Sequence, residues 1–315
     1  MHVKLLLPFL LCMHLDLSGQ AATNAPVNIW ATEISADGKW LALGGDDSTV
    51  WVYATDNYSL QQSYQLNSMV RGLSWHPKEP LLAIATTDGI SFLSLPDKQV
   101  LDVSSIKTGG RAIAWNPTGE MLALADGAGV LQILNKEGKL LRSISKHNDH
   151  SYLTVDWHPT KNILVTGSDE VILFDTSGKQ LKLFRHRDMG TGILTIRWHP
   201  SGEFFALGDY GHDKEGIPTL LQFWKEDGTL LKEMRGLSRS EYRNIRWNHN
   251  GTMLGTASDA LRIWSKEGKL LSTAASGSVW GIAWSKDDTR LITGSFDNGS
   301  VKIWSSSGAL IRRVH

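Results

Sequence analysis

The fold class to expect is all-β, a seven-bladed β-propeller of four-stranded antiparallel blades, and three observations predict it. One segment recurs. It reads "WHPKEPLLAIATTDG" from Trp75, "WNPTGEMLALADG" from Trp115, "WHPTKNILVTGSDE" from Trp157 and "WHPSGEFFALGDYG" from Trp198. It returns as "WNHNGTMLGTASD" from Trp247 and "WSKDDTRLITGSFD" from Trp284, and "ISADGKWLALGGDD" carries Ile34 in the tryptophan's place. The seven anchors stand 41, 40, 42, 41, 49 and 37 residues apart, the period of a four-stranded blade. Finally, 30 Gly and 13 Trp in 315 residues suit a chain of many tight turns around an aromatic-rich core.

Each unit reads the same way. A first strand carries apolar residues five and two before its anchor, as in Val70 and Leu73 before Trp75, Ile193 and Ile196 before Trp198, and Val279 and Ile282 before Trp284. A step of three followed by a step of two breaks strict alternation, so one extra residue, a β-bulge, is needed to keep all three side chains on one face. A polar turn follows, then a small apolar second strand such as "LLAIAT" or "MLALAD". A turn Asp comes next in every unit: Asp47, Asp88, Asp126, Asp169, Asp209, Asp259 and Asp297. The third strand ends on Tyr53, Leu93, Leu134, Phe174, Trp224, Trp264 or Trp304, and a Gly turn such as "KEGKLL" leads to the fourth.

The repeat decides how His76, His158 and His199 are read. They occupy equivalent positions in the turn between first and second strands of blades two, four and five. Blades are related by about 51° of rotation, which sets equivalent side chains on neighbouring blades on the order of 10 Å apart. Zinc holds its nitrogens at roughly 2.0–2.1 Å, so these histidines are turn and packing residues rather than ligands. As residues of an exposed turn they are expected to tolerate substitution. The tryptophan anchors are expected to fill the space between blades.

The pattern resembles the WD40-repeat family over residues 26 to 315, most closely in "RLITGSFDNGSVKIW" (Arg290 to Trp304) and "MLGTASDALRIW" (Met253 to Trp264). Only Phe174-Asp175 approximates the family's terminal Trp-Asp pair, and Lys146-His147 is the nearest relic of its Gly-His pair. The hydrogen-bonded tetrad that resembles the family's is therefore expected to be incomplete in most blades. The resemblance implies a protein or peptide partner bound at the top face.

First strands line the channel of a propeller and their leading ends face its mouth. The residue that the bulge turns away from the core, four before each anchor, is then Trp30, Arg71, Arg111, Leu153, Leu194, Arg243 and Trp280 in blade order. On a closed ring Arg243, Trp280, Trp30, Arg71 and Arg111 are contiguous, and Phe296, just before the turn Asp of blade seven, extends the arc. Arg and Trp are enriched at binding hot spots, and guanidinium groups favour an acidic partner. Opposite this arc, blade five carries the insertion "GDYGHDKEGIPT" with Tyr210, His212, Asp213 and Glu215, near His147, Asp149, His150, His186 and Asp188. These groups give the first alternative, a small-ligand or metal-binding propeller using a His/Asp arc of blades four and five, although no tight ligand spacing supports it. A propeller hydrolase is the second alternative. No nucleophile elbow, P-loop or dinucleotide fingerprint is present, and no catalytic residue, metal or cofactor is assigned. The preferred reading is a non-enzymatic scaffold.

Lys+Arg and Asp+Glu balance at 32 each, which gives no reason to expect nucleic acid or an anionic membrane as a partner. A monomer is expected. Residues 1–21 read as a signal peptide: Lys4, then an apolar run from Leu5 to Leu15, then Gly19-Gln20-Ala21. The propeller is expected over 22–315, in an extracytoplasmic compartment, periplasmic or secreted. Cys12 is the single cysteine, so a chain cleaved after Ala21 has no thiol chemistry. The sequons at Asn57, Asn250 and Asn298 are read as turns.

Overall fold

The computed structural model describes residues 28–103, 105–145, 153–188, 191–212, 215–274 and 276–314. The described residues form twenty-eight strands, β1 to β28 in chain order, in seven antiparallel sheets of four. Blade one is β1 (Ile29–Ile34), β2 (Trp40–Gly45), β3 (Thr49–Ala54) and β4 (Leu60–Gln65). The inner strands of the other blades are β5 (Val70–Trp75), β9 (Gly110–Trp115), β13 (Thr154–Trp157), β17 (Ile193–Trp198), β21 (Asn244–Trp247) and β25 (Val279–Trp284). Successive inner strands pack against one another, and β1 packs against β25 to close the ring. No helix is long and apolar enough to cross a membrane among the described residues.

The expected bulge is present, and it falls on the mouth residues. The pairing of β1 with β2 steps over Trp30, between Ile29 and Ala31. The same step passes over Arg71, Arg111, Leu194 and Trp280 in the first-to-second strand pairs of blades two, three, five and seven. Second strands are buried on both faces, because each blade is sandwiched between two others. Fourth strands such as Leu140–Ile144 are mostly exposed.

The core is a set of inter-blade layers. Trp75 lies with Ala42, Val50 and Val52 of blade one, and Trp157 with Ala123, Ala125 and Ile133 of blade three. All six anchor tryptophans are buried. Three donate their indole N–H to the preceding blade: Trp75 to Glu33 O at 3.3 Å, Trp157 to Ala114 O at 2.9 Å and Trp284 to Arg246 O at 2.9 Å. Blade seven is completed by its own outer strand, β28 (Leu310–Arg313). Closure is by side chains: Ile29, Leu41, Leu43 and Tyr58 pack with Ile292, Val301 and Ile303.

The three Trp-His-Pro histidines are not exposed turn residues. His76, His158 and His199 are 3%, 1% and 7% exposed. His158 Nδ1 accepts the N–H groups of Thr160 (3.1 Å) and Lys161 (3.0 Å), which fixes Nε2 as the donor to Gly202 O of blade five at 3.1 Å. His76 reaches Gly119 O of blade three at 3.0 Å, and His199 reaches Gly251 O of blade six at 2.8 Å. The Trp75-His76 and Trp157-His158 pairs therefore bond to both neighbours, the Trp to the preceding blade and the His to the following one, while Trp198 packs against blade four without an indole hydrogen bond. Gly202 is required for this: its φ is +75°, and a Cβ there would stand 2.6 Å from His158 Cε1. The turn reading of the sequons holds, since Asn57, Asn250 and Asn298 each accept the N–H two residues on.

Candidate functional site

The bulge aims Trp30, Arg71, Arg111 and Trp280 into the channel mouth, Arg243 reaches it from the residue before β21, and all five are half-buried. With Phe296 they form one continuous stack. The Trp30 and Trp280 rings meet edge-to-face at 4.5 Å, Trp30 meets Phe296 at 5.0 Å, and Trp280 meets Phe296 at 5.4 Å. The Arg71 guanidinium lies 4.1 Å from the Trp30 ring centre. Arg243 is 5.3 Å from both Trp280 and Phe296, and Arg111 is 5.5 Å from Trp280. Such contacts contribute roughly 0.5–2 kcal/mol each according to their exposure.

Hydrogen bonds fix two members of this stack. Trp30 donates its indole N–H to the Asp46 carboxylate. Arg243 pairs with Glu241 at 2.8 Å and donates to Ser278 Oγ. Burial lowers the pKa of Arg71, with Arg111 adding to the shift and Asp46 and Tyr210 opposing it. Arg111 differs. Its Nη1 donates to the Tyr210 hydroxyl at 3.1 Å, and its Nη2 is buried with no partner. Tyr210 stands in the blade-five insertion, so the two regions that looked opposed in sequence meet across the mouth. Leu153 and Leu194 complete the lining.

The other insertion residues do not join. His212 pairs with Ile217 in a short backbone bridge, and His212 Nε2 lies 3.9 Å from Glu215 Oε1 with both side chains exposed. Asp213, His147, Asp149 and His150 lie outside the described residues, as does the Lys146-His147 relic. His186 points inward instead: it is buried against Asp209, Nε2 to Oδ2 at 3.2 Å. Asp209 also binds Arg187 at 2.5 Å, Thr191 Oγ1 at 3.1 Å and the Leu220 N–H at 2.7 Å. It is a structural tie at the base of the insertion, and His186 is the histidine that meets a turn Asp. Among the described residues no group of three His, Cys, Asp or Glu gathers as a metal site.

The cavity below the mouth holds about 60 Å³ and has a charged floor that sequence reasoning missed. Arg246 of blade six reaches Glu33 of blade one at 2.5 Å, across the channel. Burial lowers Arg197 to about 10, helped by Arg246 and opposed by Asp156 and Glu33. Burial raises the pKa of Asp156, against the pull of Arg197 and of the Trp198 N–H it accepts at 2.7 Å. The signal was in the sequence, one residue before each anchor, where Glu33, Asp156, Arg197 and Arg246 fall in a single frame.

The family model described as "WD domain, G-beta repeat" matches residues 16–53, 138–174 and 268–305. Over 177 residues the chain is 26% identical to the B-type cell cycle switch protein ccs52B of Medicago truncatula, covering 53% of this chain and 34% of that protein. It is 24% identical over 275 residues to the intraflagellar transport protein 80 homolog of Mus musculus, covering 84% of this chain and 33% of that protein. It is 22% identical over 211 residues to the intraflagellar transport protein 122 homolog of Xenopus tropicalis, covering 64% and 17%. The chain thus spans about a third or less of the length of these curated relatives.

Proposed function

The chain is a member of the WD40-repeat family, and from that premise we propose that it is a non-enzymatic scaffold that docks an acidic protein or peptide segment at the mouth of its channel. One observation carries the reading. Arg71, Arg111 and Arg243 stand with Trp30, Trp280 and Phe296 in a half-exposed stack, held in place before any partner arrives. Preorganised aromatic and guanidinium groups lose little freedom on binding, which is what hot-spot residues need. The relatives named for cell-cycle control and intraflagellar transport fit a scaffold role, at the level of the repeat.

Capture from the native extracytoplasmic fraction tests this when wild-type, Arg71→Ala and Trp280→Ala baits are compared. A partner retained by wild-type and lost by both variants supports the reading, and equal retention by all three overturns it. Arg71→Ala is also expected to flatten the salt dependence of capture, because a charge pair is lost. Export belongs to the same proposal. Protein from its native host is expected to begin at Ala22, and a full-length cytoplasmic product retaining Met1 would contradict it.

A further inference from the structure

We infer that Arg111 is a carboxylate-binding residue whose Nη1/Nη2 edge is held in reserve by the Tyr210 hydroxyl; this rests on the mouth reading above. The three mouth arginines are not equally committed. Arg243 is engaged by Glu241 and Ser278, and the Arg71 guanidinium lies over the Trp30 ring, 4.1 Å from its centre. Arg111 alone among them holds a buried nitrogen without a partner, Nη2, while its neighbour Nη1 holds only a neutral phenol from two blades away. A buried donor left unmet is unfavourable, so the closed arrangement is poised toward a ligand that satisfies it. A carboxylate accepts from Nη1 and Nη2 together in the planar fork geometry, and a charge-assisted pair of bonds outweighs one neutral bond. Tyr210 can yield because it sits on the surface, 39% exposed, with its ring against Gly192. Arg71 lines the same cavity and supplies a second positive charge there. A side-chain carboxylate and a C-terminal carboxylate share this chemistry.

The test is titration of the intact protein with benzoate, with neutral benzamide as control, reading arginine Nε–H signals by NMR. Benzoate is expected to move the Arg111 signal, and benzamide is not. Tyr210→Phe is expected to tighten benzoate by about 3- to 10-fold, the worth of the hydrogen bond that no longer competes. Arg111→Lys keeps the charge without the fork and is expected to weaken it by roughly 10-fold. An acetylated, amidated Gly-Glu-Gly and an acetylated Gly-Gln-Gly with a free carboxylate then separate the two sources. If Tyr210→Phe weakens benzoate or leaves it unchanged, or if benzoate moves no arginine signal, the inference fails. The mouth reading would still stand or fall on partner capture by the Arg71 and Trp280 variants.

Discussion

Tryptophan has two fates along the first strands, and the comparison explains how the molecule divides its work. At the anchor end Trp75, Trp115, Trp157, Trp198, Trp247 and Trp284 are buried between blades. At the mouth end Trp30 and Trp280, only four residues upstream of Ile34 and Trp284, are half-buried and stacked with arginines. The bulge makes the difference. It keeps the residues five and two before the anchor in one inter-blade layer, as Val279 and Ile282 with Trp284, and turns the residue after the first of them toward the channel. Anchor residues hold the ring together, and mouth residues stack on one another at the channel opening.

The largest effect that breaks this comparison is expected at an anchor. Trp157→Ala should cost about 3–5 kcal/mol in a denaturant melt, as for a buried aromatic that leaves a cavity. Gly202→Ala should follow, losing more than the roughly 1–2 kcal/mol of a left-handed non-glycine residue, because its Cβ also meets His158. His158→Ala should cost about 1–3 kcal/mol, since it orphans Gly202 O and two turn N–H groups. The double variant His158→Ala with Gly202→Ala should fall short of the sum, and additive losses in a melt would show that the two residues do not form a clasp.

The same clasp has a pH signature. Burial holds the His158 pKa below its ordinary value, with Lys161 acting in the same direction. The unfolded chain therefore takes up the proton first. The contribution of His158 is complete above about pH 6.5 and is lost as pH falls through the folded-state pKa. Melts at stepped pH are expected to show a loss below about pH 6.5 that is smaller in His158→Ala. The smallest stability effect is expected at the mouth, where Arg71→Ala should stay within about 0.5–1 kcal/mol because it loses one cation–π contact.

Most of the fold was legible because a repeat tests itself: seven strand patterns, seven turn aspartates and one bulge frame agree. The mouth residues followed from that frame, and Trp30, Arg71, Arg111, Arg243, Trp280 and Phe296 do come together. The burial of the histidines is not legible within one unit, because their partners lie in the next unit. Gly119, Gly202 and Gly251 stand four residues after the anchors of blades three, five and six, each the blade that follows a Trp-His-Pro. Blades three and six have Asn116 and Asn248 in the histidine's place, and the blades after them have Lys161 and Asp288 in the glycine's. That pairing was visible in the sequence. The reach of Tyr210 to Arg111 was not, because it depends on how an insertion folds over a channel two blades away.

Calorimetry on a captured partner tests the central claim most directly, that the residues turned out by the bulge form the binding surface. The partner segment would be titrated into wild-type protein, Arg71→Ala, Trp280→Ala and a variant lacking Tyr210 to Gly216. Both substitutions are expected to weaken binding by about 1–4 kcal/mol, with circular dichroism unchanged and binding retained in the deletion variant. Unchanged affinity in both substitutions, with binding lost on the deletion, would place the binding surface on the blade-five insertion and contradict the account.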